Sequence, residues 1–510
     1  MTLHLAEEHA GLRTLRAVAY PQMSCWILVI VVFGTGIILR HLTAGNSDVS
    51  WLLIAGERWL DGQRLYSEIL ETNPPMAVLV YVPALLIARQ LGLSPEIVLD
   101  SLVFFAIAAS LAASLLILRP SIELSRYQAW GLAIAAIMAL ALLPLQSFGQ
   151  REHIAVIELM PFIALLAVRL HRELPPRWAT WVAGAGLGLA LCFKPHFALV
   201  AAGGVGFVAA YLRSPRTLLS PENLVAAAVV SIYGVCTVLL FPEYITDMLP
   251  LVRDVYSIGL PLSLMLMKPA PALWGLILTL TLVRKRGREL DPVLLLLITT
   301  SVAFFVVYLL QRKGWPYHSY PMLAFAWLSL GFAMSSPAAA SLVSPLGFAR
   351  GILAMALVVP TVSWFNHALD ASFLQPAIAR IGIEHPTVLA ISGNGGLAHP
   401  LTRRVGGIWA SRQQSLLVAS YEDYARESGM FSSQSLTIVD DYAQRERRWM
   451  IEDFRRVRPD IVLVDNMTGP WRKWLHESPE LDALLMDYRL TETIRDVEVY
   501  VRQVKIDPHE

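Results

Sequence analysis

The chain has 510 residues, of which 55% are hydrophobic and 16% charged, with mean hydropathy +0.53 and net charge +1. Water-soluble domains carry about 25% charged residues, so most of this chain is not built for water. The near-zero net charge gives nothing for nucleic acid to bind.

Charge is also unevenly placed. Long apolar runs fill residues 23–366, and a segment of ordinary polar composition fills 367–510. The division predicts a membrane domain over 1–366 and a domain in water over 367–510. At the N-terminus, Arg13 and Arg16 precede an apolar run with no A-x-A-like site after it, which predicts an uncleaved first helix. A spanning helix needs roughly 20 mostly apolar residues. Eleven predicted spans follow at 23–40, 96–118, 128–147, 154–170, 178–193, 197–212, 223–241, 271–283, 292–310, 318–334 and 349–366. The run 76–88 holds Pro83 and ends at Arg89, and is short enough to lie on the membrane or dip into it. Cys25, Cys192 and Cys236 fall in apolar runs and read as core residues, not as a disulfide or metal set.

Orientation follows from the positive-inside rule. With eleven spans, one side holds eleven basic residues, Arg119, Arg126, Arg172, Arg177, Arg213, Arg216, Arg284, Lys285, Arg286, Arg288 and Arg350. The other side holds six, Arg151, Lys194, Arg253, Lys268, Arg312 and Lys313. The first set is therefore cytoplasmic. In a bacterial inner membrane, the loop 41–95 and the domain 367–510 are then expected on the periplasmic face.

The expected outer ends gather polar residues. Asp48, Glu57, Asp61, Glu68 and Glu71 lie in the first loop, and Arg151, Glu152 and His153 at the next outer turn. Lys194 and His196 follow, and then Arg312, Lys313 and His318 in Q-R-K-G-W-P-Y-H. Interfacial anchoring accounts for any one of these. The positive-inside rule disfavours the basic ones as a group, and a phosphate or pyrophosphate bound there would compensate.

The 367–510 segment reads as α/β. T-V-L-A-I-S at 387–392 and I-V-L-V-D at 461–465 have the look of buried strands. A charged helix is expected over 440–457, and V-E-V-Y-V-R-Q at 497–503 alternates as an edge strand does. S-G-N-G-G at 392–396 lacks the full dinucleotide spacing and reads as a plain turn.

After the first span come N-S-D-V-S-W, then the amphipathic G-E-R-W-L-D-G-Q-R-L-Y, then E-T-N-P-P and an apolar dip ending Q-L-G. This loop resembles that of the GT-C glycosyltransferases, in particular the protein O-mannosyltransferases and the lipid A aminoarabinose transferases. Asp48 matches the family's acidic residue after helix 1, and Glu71 the Glu of its E-K-P-P-like turn. Asn73 stands where many relatives have Lys. Q-R-E-H at 150–153 occupies the polar site of the second outer loop, and Lys194 in F-K-P-H fits the Lys at the outer end of the fifth helix.

The resemblance implies a GT-C-like polytopic helical fold with a C-terminal α/β domain. It implies an inverting membrane glycosyltransferase with a polyprenyl-phosphate-linked sugar donor and a glycan or lipid acceptor. Asp48, Glu71 and Glu152 are the candidate catalytic carboxylates, and Arg151, His153, Lys194, His196, Arg312 and Lys313 the candidate ligands of the donor phosphate. A base near the acceptor hydroxyl and a cation near the leaving phosphate are what such chemistry needs. A divalent cation could share the second task, although no tight His/Asp spacing marks one. The plain alternative for Asp48 is a helix N-cap. Two other functions compete. A transporter or flippase would show broken helices, mid-membrane charges and an internal repeat. A polysaccharide ligase or polymerase would carry its long polar loop late in the chain.

Overall fold

The computed structural model describes residues 26–119, 126–283, 290–335, 345–429 and 431–503. Arg13, Arg16, Cys25 and the basic block at 284–288 lie outside the described residues.

Helices fall within each of the eleven runs predicted to span, the first described from Trp26 and the run 128–147 broken at Leu143–Pro144. Six of the described helices are long and apolar enough to cross a membrane: Pro95–Leu118, Arg151–Leu170, Pro195–Leu212, Pro221–Leu240, Pro292–Gln311 and Gly347–Phe365. A seventh span counts if the pair Trp26–Leu42 and Ser47–Leu60, bent by 74°, is taken as one. The others fall short for local reasons. Arg177–Phe193 has 17 residues and Pro269–Leu282 14, and Arg126–Ile137 passes into a wide π turn, Met138–Leu142, just before Pro144. Pro316–Ser335 carries the polar start Tyr317, His318 and Ser319. Starts are set by proline in the first turn, where its missing N–H costs no helical hydrogen bond. Ser94 and Asp291 cap two such helices through Ile97 N and Val293 N.

Arg151–Leu170 is the central helix, with 83% of its apolar window buried, whereas Pro221–Leu240 is peripheral at 11%. Cys192 is accordingly buried. Cys236 is exposed on the peripheral helix, so it is not the core residue expected. At the opposite end from the candidate site, Arg169 grips the buried Glu222 at 2.9 Å, tying these two helices together.

The bend after Leu42 sets Ser47–Leu60 at 74° to Trp26–Leu42. Val49 to Gly56 are all buried there, because both faces of Ser47–Leu60 are covered. The run 76–88 forms two short helices, Met76–Leu79 and Val82–Leu91.

Residues 387–502 hold a five-stranded sheet. Its strands are β1 (Thr387–Ile391), β2 (Ile408–Trp409), β3 (Ile461–Asp465), β4 (Tyr488–Ile494) and β5 (Val497–Arg502). The order is β2-β1-β3-β5-β4, with β1 parallel to β2 and β3, and β5 antiparallel to β3 and β4. The expected edge strand at 497–503 is therefore interior, covered by the unforeseen β4. The long helix Ser433–Val457 precedes β3.

This sheet unit is fastened to residues 57–96. Arg403 reaches Glu57 at 2.6 Å and Glu96 at 2.5 Å. Arg58 donates to the carbonyls of Trp409 and Ser411, and Leu70 N–H to Arg412 O at 2.7 Å. Arg403 is only 13% exposed, and charge-assisted bonds of this kind contribute about 1.5–3 kcal/mol each.

Candidate active site

Asn46, not Asp48, caps the helix Ser47–Leu60. Its side-chain oxygen accepts from Asp48 N at 2.8 Å and Val49 N at 3.3 Å. The Asp48 carboxylate is thus released from capping. It is 23% exposed and faces three donors: Arg151 Nη2 at 3.4 Å, Gln150 Nε2 at 3.3 Å and Gln414 Nε2 at 3.2 Å.

Two cavities meet at this carboxylate. The first, of about 80 Å³, is lined by Asp48, Glu71, Asn73 and Arg151, by the aromatics Trp51, Tyr256, Trp315, Tyr317 and Trp449, and by Glu446. The second, of about 490 Å³, lies against Asn46, Gln146, His367, the 393–396 glycine turn, Thr468 and Trp471. Asp48, Trp315, Tyr317 and Gln414 belong to both walls.

Arg151 is the first residue of the central helix and is 3% exposed. Its Nε and Nη1 are buried without a partner. Gln150, at the N-cap position, gives the first turn no side-chain cap. An uncapped helix N-terminus beside a half-satisfied guanidinium is a strong anion-binding arrangement.

Glu71 lines the first cavity but is engaged. It accepts the Trp51 indole N–H at 2.6 Å and both the backbone N–H and the amide of Asn73, at 2.8 and 2.5 Å. Its geometry is that of a scaffold for the E-T-N-P-P turn. Glu152 is fully buried behind Arg151 and lines neither cavity. It pairs with Lys194, whose ammonium also reaches Gln311 Oε1 and His318 Nε2, each at 3.0 Å.

Of the six side chains expected at a donor phosphate, only Arg151 lines either cavity. Lys194 is occupied as described. His153 turns into the core, where Nδ1 accepts the Gly149 N–H at 3.0 Å and Nε2 meets Leu140 O at 2.8 Å. His196 sits beside Phe197 with Nε2 buried and unpartnered. Arg312 is exposed and donates to Leu260 O at 2.9 Å. Lys313 binds the carbonyls of Tyr256 and Ile258 and the Tyr421 hydroxyl, and burial pushes its ammonium down to about 7. The reason is common to Arg312 and Lys313. The 242–268 segment and the sheet unit fold over the helix ends that carry Arg312 and Lys313 and take up cations that the sequence leaves open.

Among the described residues, no group of three or more His, Cys, Asp or Glu side chains gathers as a metal site would require.

No protein-family model and no curated protein matches the chain. Solved structures do. The apo crystal structure of ArnT from Cupriavidus metallidurans matches at TM-score 0.56 and 13% identity, over 95% of this chain and 98% of that one. A cryo-EM structure of the arabinofuranosyltransferase AftD from Mycobacteria aligns at TM-score 0.43 and 13% identity, over 94% of this chain and 40% of that one. ArnT, the lipid A aminoarabinose transferase, is a GT-C protein.

This chain has the GT-C fold.

The loop motif after the first span and the architecture therefore agree. Within the GT-C frame, several wall residues had no signal in the sequence. Gln414 and Glu446 come from the sheet unit, more than 360 residues from Asp48 along the chain. Glu446 caps the helix Leu417–Ser428, accepting from Val418 N at 3.0 Å and Ala419 N at 2.9 Å. Burial pushes its carboxyl up to about 7, while those two N–H groups pull the other way. His318 was visible in the sequence only as one more outer polar residue.

Proposed function

We propose that the chain is an inverting membrane glycosyltransferase that moves a sugar from a polyprenyl-phosphate donor to an acceptor hydroxyl on the periplasmic face of a bacterial inner membrane. The observation that carries the reading is the pair of unlike groups on one cavity wall, a partly open carboxylate, Asp48, beside a buried guanidinium with two free nitrogens, Arg151.

The chemistry follows from that pair. Asp48 takes the proton of the acceptor hydroxyl as its oxygen attacks the anomeric carbon. The bond from that carbon to the phosphate oxygen breaks, and the phosphate leaves with both electrons. Arg151 and the open helix N-terminus stabilise the charge gathered there. The first cavity, with its cation and aromatic walls, suits the donor phosphate and sugar. The second is lined by hydroxyls, amides, Trp471 and His367, with no Lys or Arg, which suits an uncharged glycan acceptor.

Replacement of Arg151 tests the donor site. Polyprenyl phosphate is expected to bind the purified wild type and to bind Arg151→Met at least tenfold more weakly. Equal affinity would move the phosphate elsewhere. Sidedness has its own check. Cysteines introduced for the exposed residues Glu173 and Lys473 are expected to react from opposite faces with an impermeant thiol reagent, and labelling from one face would refute the eleven-span orientation.

A further inference from the structure

The glycine turn S-G-N-G-G and the segment 409–416 have no part in the reaction described so far, yet both reach its centre. Gln414 is carried by the sheet unit, and its Nε2 donates to Asp48 Oδ1 at 3.2 Å. An amide has a donor end and an acceptor end, and only the donor end is tolerated against a carboxylate.

The backbone that carries Gln414 is clamped on both sides. From the segment 57–96, Arg58 holds Ser411 O at 2.7 Å and Leu70 N–H holds Arg412 O at 2.7 Å. From the sheet unit, the fully buried Asp453 accepts Arg412 N at 2.7 Å and the Arg412 guanidinium at 3.0 and 3.1 Å. The Trp409 indole donates to Gln413 O at 2.9 Å, and Leu416 N–H donates to Ser392 O at 2.8 Å. A free surface glutamine needs no such scaffold.

The glycine turn completes the fit. A Cβ on Gly395 would stand 2.8 Å from Gln414 Nε2 and 3.0 Å from its Cδ. Gly395 is not at a positive φ, so clearance for the Gln414 side chain, not backbone freedom, accounts for glycine there.

We propose that Gln414 is a positioning residue for Asp48, and that Gly395 is present to seat its amide, so that the active site is complete only when the sheet unit is docked. Gln150 and Arg151 hold the Oδ2 side of the carboxylate and Gln414 holds Oδ1. Together they fix its plane between the two cavities. The proposal rests on the role given to Asp48 above.

The test uses the full-length protein and two variants, Gln414→Ala and Gly395→Ala. The atoms nearest a Cβ at Gly395 are Nε2, Cδ and Cγ of the flexible Gln414 side chain, so Gly395→Ala is expected to displace the amide and leave the fold intact. The first readout is the Asp48 carboxylate stretch, assigned by infrared difference against Asp48→Asn, and it needs no substrate. Both variants are expected to shift that band. In the transfer assay both are expected to lower kcat about ten- to a hundredfold with KM nearly unchanged, the scale of a misplaced catalytic group. A wild-type band and wild-type kcat in both variants would overturn the proposal while leaving Asp48 as the base. Full turnover in Asp48→Asn would instead overturn the reading beneath it.

Discussion

Asp48→Asn is expected to fold, to bind donor as the wild type does, and to turn over about 10²–10⁴-fold more slowly, the usual cost of losing a general base. Asparagine keeps the size of aspartate and takes no proton at neutral pH. The helix start is insensitive to the change, because Asn46 makes the capping bonds. Loss of a cap would cost about 1 kcal/mol of stability, and that is not expected here. Glu71 and Glu152 are not expected to replace Asp48 in this role. Glu71 has both oxygens bound by Trp51 and Asn73, and Glu152 lies outside both cavities. Thermal melting, donor binding and kcat measured on one preparation separate these outcomes. Near-normal kcat would remove the base assignment.

Lys194→Ala is expected to act on stability first. The sequence places Lys194 among ligands of the donor phosphate, but the structure surrounds its ammonium with Glu152, Gln311 and His318. Removing it leaves the Glu152 carboxylate buried with only the His318 imidazole, 3.6 Å away, beside it. Breaking one partner of such a buried pair costs about 3–5 kcal/mol, whereas replacing both partners by neutral groups is far milder. The double variant Glu152→Gln with Lys194→Gln is therefore expected to recover most of the melting temperature lost by Lys194→Ala. A stable Lys194→Ala protein with weakened polyprenyl-phosphate binding would return Lys194 to the donor site.

Asp48 and Lys194 show what a sequence holds and what it leaves out. Span positions were legible because each is a continuous apolar run, and helices fall within them all. Their count as crossings was not, because Pro144 and the polar start of Pro316–Ser335 shorten or interrupt what hydropathy joins. The segment 41–95 was legible through E-T-N-P-P and through Asp48, and the structure sets Asp48, Glu71 and Asn73 around one cavity. The partners of the charged residues at these helix ends were not legible. Lys313 meets Tyr421 and Asp48 meets Gln414 across more than 100 and 360 residues of chain, and no local pattern marks such contacts. The β4–β5 hairpin was hidden for a different reason. Its turn uses Arg495 and Asp496 at positive φ, where Asn-Gly or Asp-Gly is the readable signal.

The most direct measurement is made on the purified wild-type protein in sealed proteoliposomes, with labelled polyprenyl-phosphate sugars and an envelope glycan extract as acceptor. The expected result is release of free polyprenyl phosphate in step with sugar fixed to glycan, with inverted anomeric configuration. Intact donor appearing in the opposite leaflet, with no phosphate released and no sugar transferred, would contradict the assignment and make the protein a transporter.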